Sequence, residues 1–261
     1  MPAIYAHYRF GVEVLKQMPG DIRRTVNRFR RLYDVGLHGP DIFFYYNPLR
    51  QTKAGSLGSR LHRQSGKDFF TRACRGLRME PSQAGEAYLY GLLTHYCLDT
   101  FCHPYISEKV RQGEVSHVEI EAEFERFLLE RDGKTPACSQ DLSPHMQLTD
   151  GECQTAAGFY TGVKPGDIRA AVKSMALITK SLAVPAGARR NIMRKGIGLF
   201  SQTYAGVIIP EEENPKCGMF NEELLAQYEK AREQFPALLL QLSAHLTYNA
   251  PFGEEFASEF G

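Results

Sequence analysis

Five side chains of the types that bind zinc lie close together in the middle of the chain. His95, Asp99 and His103 are spaced four residues apart, and His117 and Glu121 repeat that spacing a short distance further on. Imidazole nitrogens and carboxylate oxygens are ligands that zinc takes in proteins. Residues at i and i+4 share one face of a helix, so the spacing predicts two neighbouring helices that each present a row of ligands.

The distance between His95 and His103 indicates more than one metal ion. Eight helical residues span about 12 Å, whereas a Zn–N bond is about 2 Å long. The two histidines are therefore expected to serve different ions, with Asp99 able to bridge them or to join either one. His103, His117 and Glu121 form a set of two histidines and one glutamate, which is typical of catalytic zinc because a position stays open for water.

Each half of this pattern also has a simpler interpretation. A single His-x-x-x-Asp on a helix is commonly a hydrogen-bonded pair, and a His-x-x-x-Glu is commonly a surface or capping pair. The sequence has no HExxH, no His-Asp dipeptide, no GxSxG, no Walker loop and no GxGxxG. The six cysteines are scattered without a CxxC pair, and they are predicted to be free thiols.

The elements that must position these residues are predicted to be helices. Pro81 opens a helix through His95 and Asp99, which is predicted to end near Cys102, because Pro104 follows and the residue before a proline disfavours helical angles. Ser116 and Glu119 have the spacing of a capping box, which places His117 in the first turn of a helix that runs to about residue 130.

Other helices are predicted from periodicity at 4–17, 20–34, 57–77, 165–183, 187–203 and 220–247. Loops are predicted at 36–41, 134–150 and 207–218. The aromatic run at 43–46 is the best candidate for a strand, but we interpret it as a buried turn or the start of a helix. The whole chain is predicted to be one all-α domain, with a metal-binding part at 1–131 and C-terminal helices at 150–250 packed around it.

Composition and charge limit the function. The chain has 261 residues, of which 43% are hydrophobic and 23% charged, as in soluble globular proteins. The first fifteen residues lack a basic start followed by an apolar stretch, so no secretion signal and a cytoplasmic location are predicted.

Residues 1–80 hold fifteen Lys and Arg against six Asp and Glu, and residues 81–261 hold sixteen against twenty-four. The basic part is either a solvated helix face or a surface that attracts phosphate, nucleic acid or an anionic membrane.

The order of the ligand-type residues resembles the zinc-dependent phospholipase C family, whose relatives include the single-strand-specific zinc nucleases of fungi. The family motif runs as an early histidine, an aspartate in a Gly-Pro-Asp-like loop, a histidine on a helix, His-x-x-x-Asp, a further histidine and His-x-x-x-Glu. The matching residues here are His7, Asp41, His62, His95, Asp99, His103, His117 and Glu121.

The resemblance implies an all-helical fold and two or three zinc ions. It implies that Asp41, His62, His95 and Asp99 surround one zinc, that His103, His117 and Glu121 hold a second, and that His7 and Asp99 supply part of a third. His38 lies close to Asp41 in sequence and is a candidate for supporting it, while His145 and His245 have no assigned role. Ile42 follows Asp41 where family phospholipases have an aromatic residue for choline.

The expected function is a metal-dependent phosphodiesterase that hydrolyses a phosphate ester with a zinc-activated water, with Asp41 as the catalytic residue. The substrate is expected to be a lipid or small-molecule phosphate ester, and nucleic acid is a weaker candidate. Two alternatives stay open, namely a single-strand nuclease of the same fold and a non-catalytic helical protein that zinc stabilises.

Overall fold

Helices make up the regular structure of the chain. The computed structural model describes residues 4–46, 53–113, 115–185, 187 and 208–259. Within these ranges no strand is formed, and a single isolated bridge joins Ser65 to Glu259. The predicted all-α fold class is therefore confirmed. The α-helices are α1 (Ile4–Leu15), α2 (Gly20–Arg28), α3 (Arg30–Gly36), α4 (Lys53–His62), α5 (Gly66–Met79), α6 (Gln83–Gln112), α7 (His117–Arg131), α8 (Asp150–Ala157), α9 (Pro165–Leu182) and α10 (Asn221–Tyr248).

The described residues also form four short 3-10 helices, at Gly39–Tyr45, Ala137–Ser139, Gly218–Phe220 and Glu254–Phe256. The first of them contains the first three residues of the aromatic run at 43–46, in agreement with a buried turn or helix start, and Phe43 and Tyr45 are buried. No helix in the described part of the chain combines the length and the apolar character needed to cross a bilayer.

Helix α6 lies at the centre of the fold. Every residue from Ala87 to Asp99 is buried, which is expected for a helix that is apolar around its whole circumference. α3 and α10 pack most extensively against it, and α1 and α2 also make contact. The ligand-type residues of α6 therefore project from a rigid, enclosed helix rather than from a loop.

Two glycines let α3 and α6 approach closely. A Cβ atom on Gly91 would lie 2.5 Å from the carbonyl oxygen of Tyr33, and a Cβ on Gly36 would lie 2.8 Å from that of Tyr88. The two backbones therefore touch where the helices cross. This crossing lies one turn before His95 and five residues before Asp41, so it fixes the distance between two segments that carry ligand-type residues.

Two predicted helices are each divided in the structure. The predicted helix at 20–34 is broken at Phe29, whose φ of −115° and ψ of 42° are not helical, and it becomes α2 and α3. The predicted helix at 57–77 becomes α4 and α5. Its break is a tertiary effect, because the N–H of Gly66 donates to the carbonyl of Ser258 at 2.9 Å and Gly66 packs against the ring of Tyr96.

The predicted end of α6 near Cys102 is wrong. The helix continues through Pro104 to Gln112, so His103 is helical although it precedes a proline. A proline inside a helix removes one backbone hydrogen bond at a cost of about 3 kcal/mol. Burial of Ile106 on the far side of the proline helps to offset this cost.

Other predictions agree with the structure to within a few residues. α1, α7, α9 and α10 occupy the predicted segments, and the capping box of Ser116 and Glu119 is formed. α8 was not predicted, although Thr149 and Glu152 form a second capping box that marks its start. The predicted helix at 187–203 lies outside the described residues. The single-domain organisation stays a prediction.

Candidate metal centre

The carboxylate of Asp99 is the centre of the site. The Nε2 atoms of His7, His95 and His103 lie 3.2, 3.2 and 3.4 Å from its oxygens. His7 comes from α1 and stacks on His95, with ring centroids 4.5 Å apart. Asp99 is 3% exposed, so these imidazoles surround a carboxylate that is almost cut off from solvent.

A second group of residues adjoins His95. Asp41 lies in the 3-10 helix at Gly39–Tyr45, and its Oδ1 is 2.7 Å from Nε2 of His62 at the end of α4. The predicted loop aspartate and helix histidine therefore meet across a gap of twenty-one residues. Asp41, His62 and His95 offer ligand atoms that all lie within 4.8 Å of one another.

Backbone carbonyls orient two of these imidazoles. Nδ1 of His62 is 2.7 Å from the carbonyl oxygen of Gly58, and Nδ1 of His95 is 3.2 Å from that of Leu37. Because a carbonyl only accepts, each Nδ1 is protonated and donates to it, and Nε2 is the nitrogen that faces the carboxylates and would bind a metal. This arrangement fixes the tautomer of metal-binding histidines in many proteins.

His103, His117 and Glu121 form a third group between α6 and α7. Oε1 of Glu121 lies 3.0 Å from Nε2 of His117 and 3.6 Å from Nε2 of His103. The capping box of Ser116 and Glu119 begins α7 directly before His117 and so sets the position of this row. The side chains of His117 and His103 are 31% and 20% exposed, so the site opens to solvent on this side.

Gly39 brings the 3-10 helix against His95. Its φ is +49°, and a Cβ atom there would lie 2.5 Å from Cδ2 of the His95 ring. Only glycine combines a left-handed backbone with so close an approach at low cost. The Gly-Pro-Asp sequence therefore packs on one ligand-type residue, His95, and supplies another, Asp41.

The carboxylates of the site are ionised. Burial alone would raise the pKa of Asp41, but the hydrogen bond and the charge of His62 hold it well below its ordinary range. Burial has the same effect on Asp99, and its electrostatic interactions with the imidazoles of His103, His95 and His7 outweigh it and lower the pKa. The site thus holds negative charge in a buried place, where a cation is strongly favoured.

The surroundings of the histidines shift their pKa values in opposite directions. Burial lowers the pKa of His95 to about 4, so this ring is neutral at pH 7, as a metal ligand must be. Burial also opposes the charged forms of His7 and His103, but the Asp99 carboxylate raises the pKa of both above the ordinary value. Asp41 does the same for His62.

These residues fit a zinc cluster. In a tetrahedral site with bonds of about 2.05 Å, neighbouring ligand atoms are about 3.3 Å apart, and five of the contacts between imidazole nitrogens and carboxylate oxygens fall between 3.0 and 3.6 Å. Three groups have ligand atoms within 4.8 Å of one another, and together they contain all eight predicted residues. The groups are His7, His95 and Asp99; Asp41, His62 and His95; and His103, His117 and Glu121.

We name these groups the His7 set, the Asp41 set and the His103 set. His95 and His103 fall in different sets, as expected from the length of helix between them. The sets differ from the expected division in two respects. Asp99 falls outside the Asp41 set, and His95 rather than Asp99 is shared between the His7 set and the Asp41 set. A small pocket lined mainly by apolar side chains adjoins the His7 and His103 sets and includes Leu98, Cys102, Ile106, Phe124 and Leu224.

The remaining histidines lie outside these sets. His38 does not contact Asp41 through its ring but pairs with His145, their Nε2 atoms being 2.7 Å apart. His145 stacks on Tyr8 at 4.2 Å between ring centroids. His245 stacks on Phe252 and bonds through Nδ1 to the carbonyl of Ala250 at 2.6 Å. No spacing signal in the sequence connects His38 with His145, which are 107 residues apart.

Two arginines of the basic segment at 21–32 are paired with carboxylates, so the segment carries less uncompensated positive charge than its composition indicates. Arg30 pairs with Asp34 at 2.6 Å, and Arg31 pairs with Glu152 at 3.0 Å. Arg23, Arg24 and Arg28 on α2 are exposed.

Comparison with known proteins gives one match. No curated protein and no solved structure matches the chain. The model of a protein family described as zinc dependent phospholipase C matches residues 6–159, which is more than half of the chain and includes all three sets. With the helical fold and the clustered histidines and carboxylates, this match shows that the chain belongs to the zinc-dependent phospholipase C family.

Proposed function

We propose that this protein is a zinc-dependent phosphodiesterase that hydrolyses a lipid or small-molecule phosphate ester. The observation that carries the proposal is that the three sets adjoin one another. His95 is common to two of them, and an oxygen of Asp99 lies 3.4 Å from His103 in the third. Adjacent metals are typical of enzymes that displace an oxygen from phosphorus.

Zinc, when bound, supplies Lewis acidity toward a phosphoryl oxygen and lowers the pKa of water to near neutrality. The chain would hold two or three zinc ions through the His7, Asp41 and His103 sets. His95 is suited to this because it is neutral at pH 7 and its Nδ1 donates to the backbone. The ligand rows stand on α6 and α7, so their geometry is set by helices.

Asp41 is the candidate for the group that orients the attacking water and accepts its proton. Its depressed pKa keeps it ionised, and His62 holds one of its oxygens. Water would add to phosphorus opposite the leaving oxygen, the P–O bond would break, and the leaving oxygen would take up a proton. The products would be an alcohol and a phosphate monoester.

The open side of the site is at His103 and His117, and substrate would enter there. Ile42 is fully buried, so it does not face a headgroup. This burial supports a substrate that is recognised by its phosphodiester rather than by choline. An anionic membrane surface is a candidate partner through the exposed arginines of α2, and we also propose a cytoplasmic location, which cell fractionation would test.

The test is a substrate screen on protein whose zinc content has been measured. The probes are bis-p-nitrophenyl phosphate, p-nitrophenyl phosphate, phospholipid vesicles and a single-stranded oligonucleotide. We expect hydrolysis of the diester and of a phospholipid, loss of both after chelation, and recovery on adding zinc. Cleavage of the oligonucleotide alone would select the nuclease alternative. Full zinc occupancy without hydrolysis of any probe would select the non-catalytic alternative and overturn the proposal.

A further inference from the structure

Helix α7 carries an acidic residue in line with its two residues of the His103 set. His117, Glu121 and Glu125 are spaced four apart and lie along one face of the helix. The first two belong to the His103 set, but Glu125 belongs to none of the sets. Glu125 is 5% exposed. A buried carboxylate outside the metal sets requires its own explanation.

Glu125 contacts the first turn of α1. Its Oε1 accepts a hydrogen bond from the backbone N–H of Ala6 at 2.8 Å. The first N–H groups of a helix have no partner within the helix, and an acceptor there is favoured by the helix dipole. Burial raises the pKa of Glu125 to about 8, and the N–H groups of Ala6 and Tyr5 oppose that increase.

A second contact fixes the same part of α1. Asp132 follows α7 directly, and it accepts a hydrogen bond from Tyr5 Oη at 2.7 Å and another from Arg9 Nε at 2.7 Å. The two acidic residues therefore hold α1 on either side of His7. His7 stacks on His95, and its Nε2 lies 3.2 Å from Asp99.

We propose that Glu125 is a positioning residue for the His7 set, because it holds the start of α1 at the depth at which His7 reaches Asp99. α7 would then support two metal sets, the His103 set through His117 and Glu121 and the His7 set through Glu125 and α1. The inference rests on the proposed zinc centre. It concerns how that centre is assembled and not which ester is hydrolysed.

The experiment compares zinc binding by the full-length wild-type protein, four single variants and one double variant. Glu125→Leu removes the acceptor, Glu125→Gln keeps an acceptor oxygen, and His7→Ala identifies the metal equivalent that belongs to the His7 set. Glu130→Gln is the matched control, because Glu130 is an exposed residue of the same helix that pairs with Arg126. Each protein is equilibrated at fixed free zinc, bound metal is measured by elemental analysis, and helix content by circular dichroism.

We expect Glu125→Leu to lower by at least tenfold the affinity for the zinc equivalent that His7→Ala removes. The helix content should stay unchanged. The zinc affinity of Glu125→Gln is expected to stay within about threefold of the wild-type value. The same holds for the Glu130→Gln control. In the double variant of His7→Ala with Glu125→Leu, the second change is expected to have no further effect on zinc. That non-additivity is a result that a general loss of stability would not produce.

Two results would overturn the inference. One is a Glu125→Leu protein that keeps the His7 equivalent at wild-type affinity, and the other is a folded Glu125→Leu protein, with wild-type helix content, that loses all zinc equivalents to the same extent. Should Glu125→Leu fail to fold, Glu125→Asp, which shortens the side chain by one carbon, replaces it with the same expected pattern. A wild-type protein that binds no zinc would instead refute the proposed function, so the two failures are distinguishable.

Discussion

His7 and Asp99 are ninety-two residues apart in the chain, and yet Nε2 of His7 lies 3.2 Å from Oδ1 of Asp99. The contact joins the first helix to the central one. His7 has no ligand-type neighbour at helical spacing, so only the fold gives it a role.

Substitution at shared and unshared residues should have different effects on zinc content. His95→Ala removes a ligand common to the His7 and Asp41 sets, so we expect it to lower zinc binding at both. Glu121→Ala should affect only the His103 set. Elemental analysis at fixed free zinc measures both, and His245→Gln serves as a control, because His245 lies outside the sets. Equal zinc content in wild type, His95→Ala and Glu121→Ala would contradict the assignment.

Gly39→Ala should lower the free energy of unfolding by more than the cost of its positive φ alone. The new Cβ would lie 2.5 Å from the His95 ring, in addition to the cost of a positive φ. We expect the free energy of unfolding to fall by about 2–4 kcal/mol and zinc affinity to fall with it. Gly133→Ala is the matched control, because its φ is +72° with no atom near the added Cβ, and it should cost only about 1–2 kcal/mol. Chemical denaturation with and without zinc compares the two, and equal effects would exclude a role for the His95 contact.

The capping box before His117 should affect metal binding as well as stability. Ser116→Ala removes the acceptor for the N–H of Glu119, and it should cost about 1 kcal/mol. Thr149→Ala removes the equivalent cap of α8, which carries no residue of the three sets. Both variants should lose similar stability by denaturation. Only Ser116→Ala should weaken zinc binding by the His103 set. An equal loss of zinc affinity in Thr149→Ala would show that the effect comes from general destabilisation.

His145 should make the metal-free protein less stable as the pH falls. Burial, followed by the charge of Arg30, lowers its pKa to about 4 in the fold, whereas the unfolded chain has the ordinary value of about 6.5. Between these values the unfolded state binds a proton that the folded state does not, so the free energy of unfolding decreases from pH 6.5 toward pH 4. The full loss is about 3 kcal/mol.

The measurement is chemical denaturation in a chelator at several pH values, for wild type and His145→Phe. Phenylalanine keeps an aromatic ring against Tyr8 but does not titrate. We expect a shallower decrease in the variant between pH 6.5 and pH 4, and identical slopes would refute the role of His145.

The sequence predicts the rows on α6 and α7 well because both are local. Four-residue spacing determines which side chains share a helix face, and the capping box of Ser116 and Glu119 determines where α7 begins. The roles of His7, Asp41 and His62 came only from the resemblance to a family, because their distances to His95 and Asp99 depend on tertiary packing.

The errors also have tertiary causes. Local rules end α6 before Pro104, but packing beyond the proline continues the helix. Local periodicity joins α4 to α5, but contacts of Gly66 with Tyr96 and the C-terminal segment separate them. The pairing of His38 with His145 and the approach of Gly39 to His95 have no local signal at all.

One imidazole common to two metal sets has a thermodynamic consequence. In the proposed zinc centre, occupancy of the His7 set and occupancy of the Asp41 set would not be independent, because both draw on the Nε2 lone pair of His95. A first ion therefore changes the affinity for the second by some factor, and reciprocity requires the second to change the affinity for the first by that same factor. In the proposed zinc centre these two sets would therefore fill as coupled sites, and the zinc isotherm would carry the sign of that coupling.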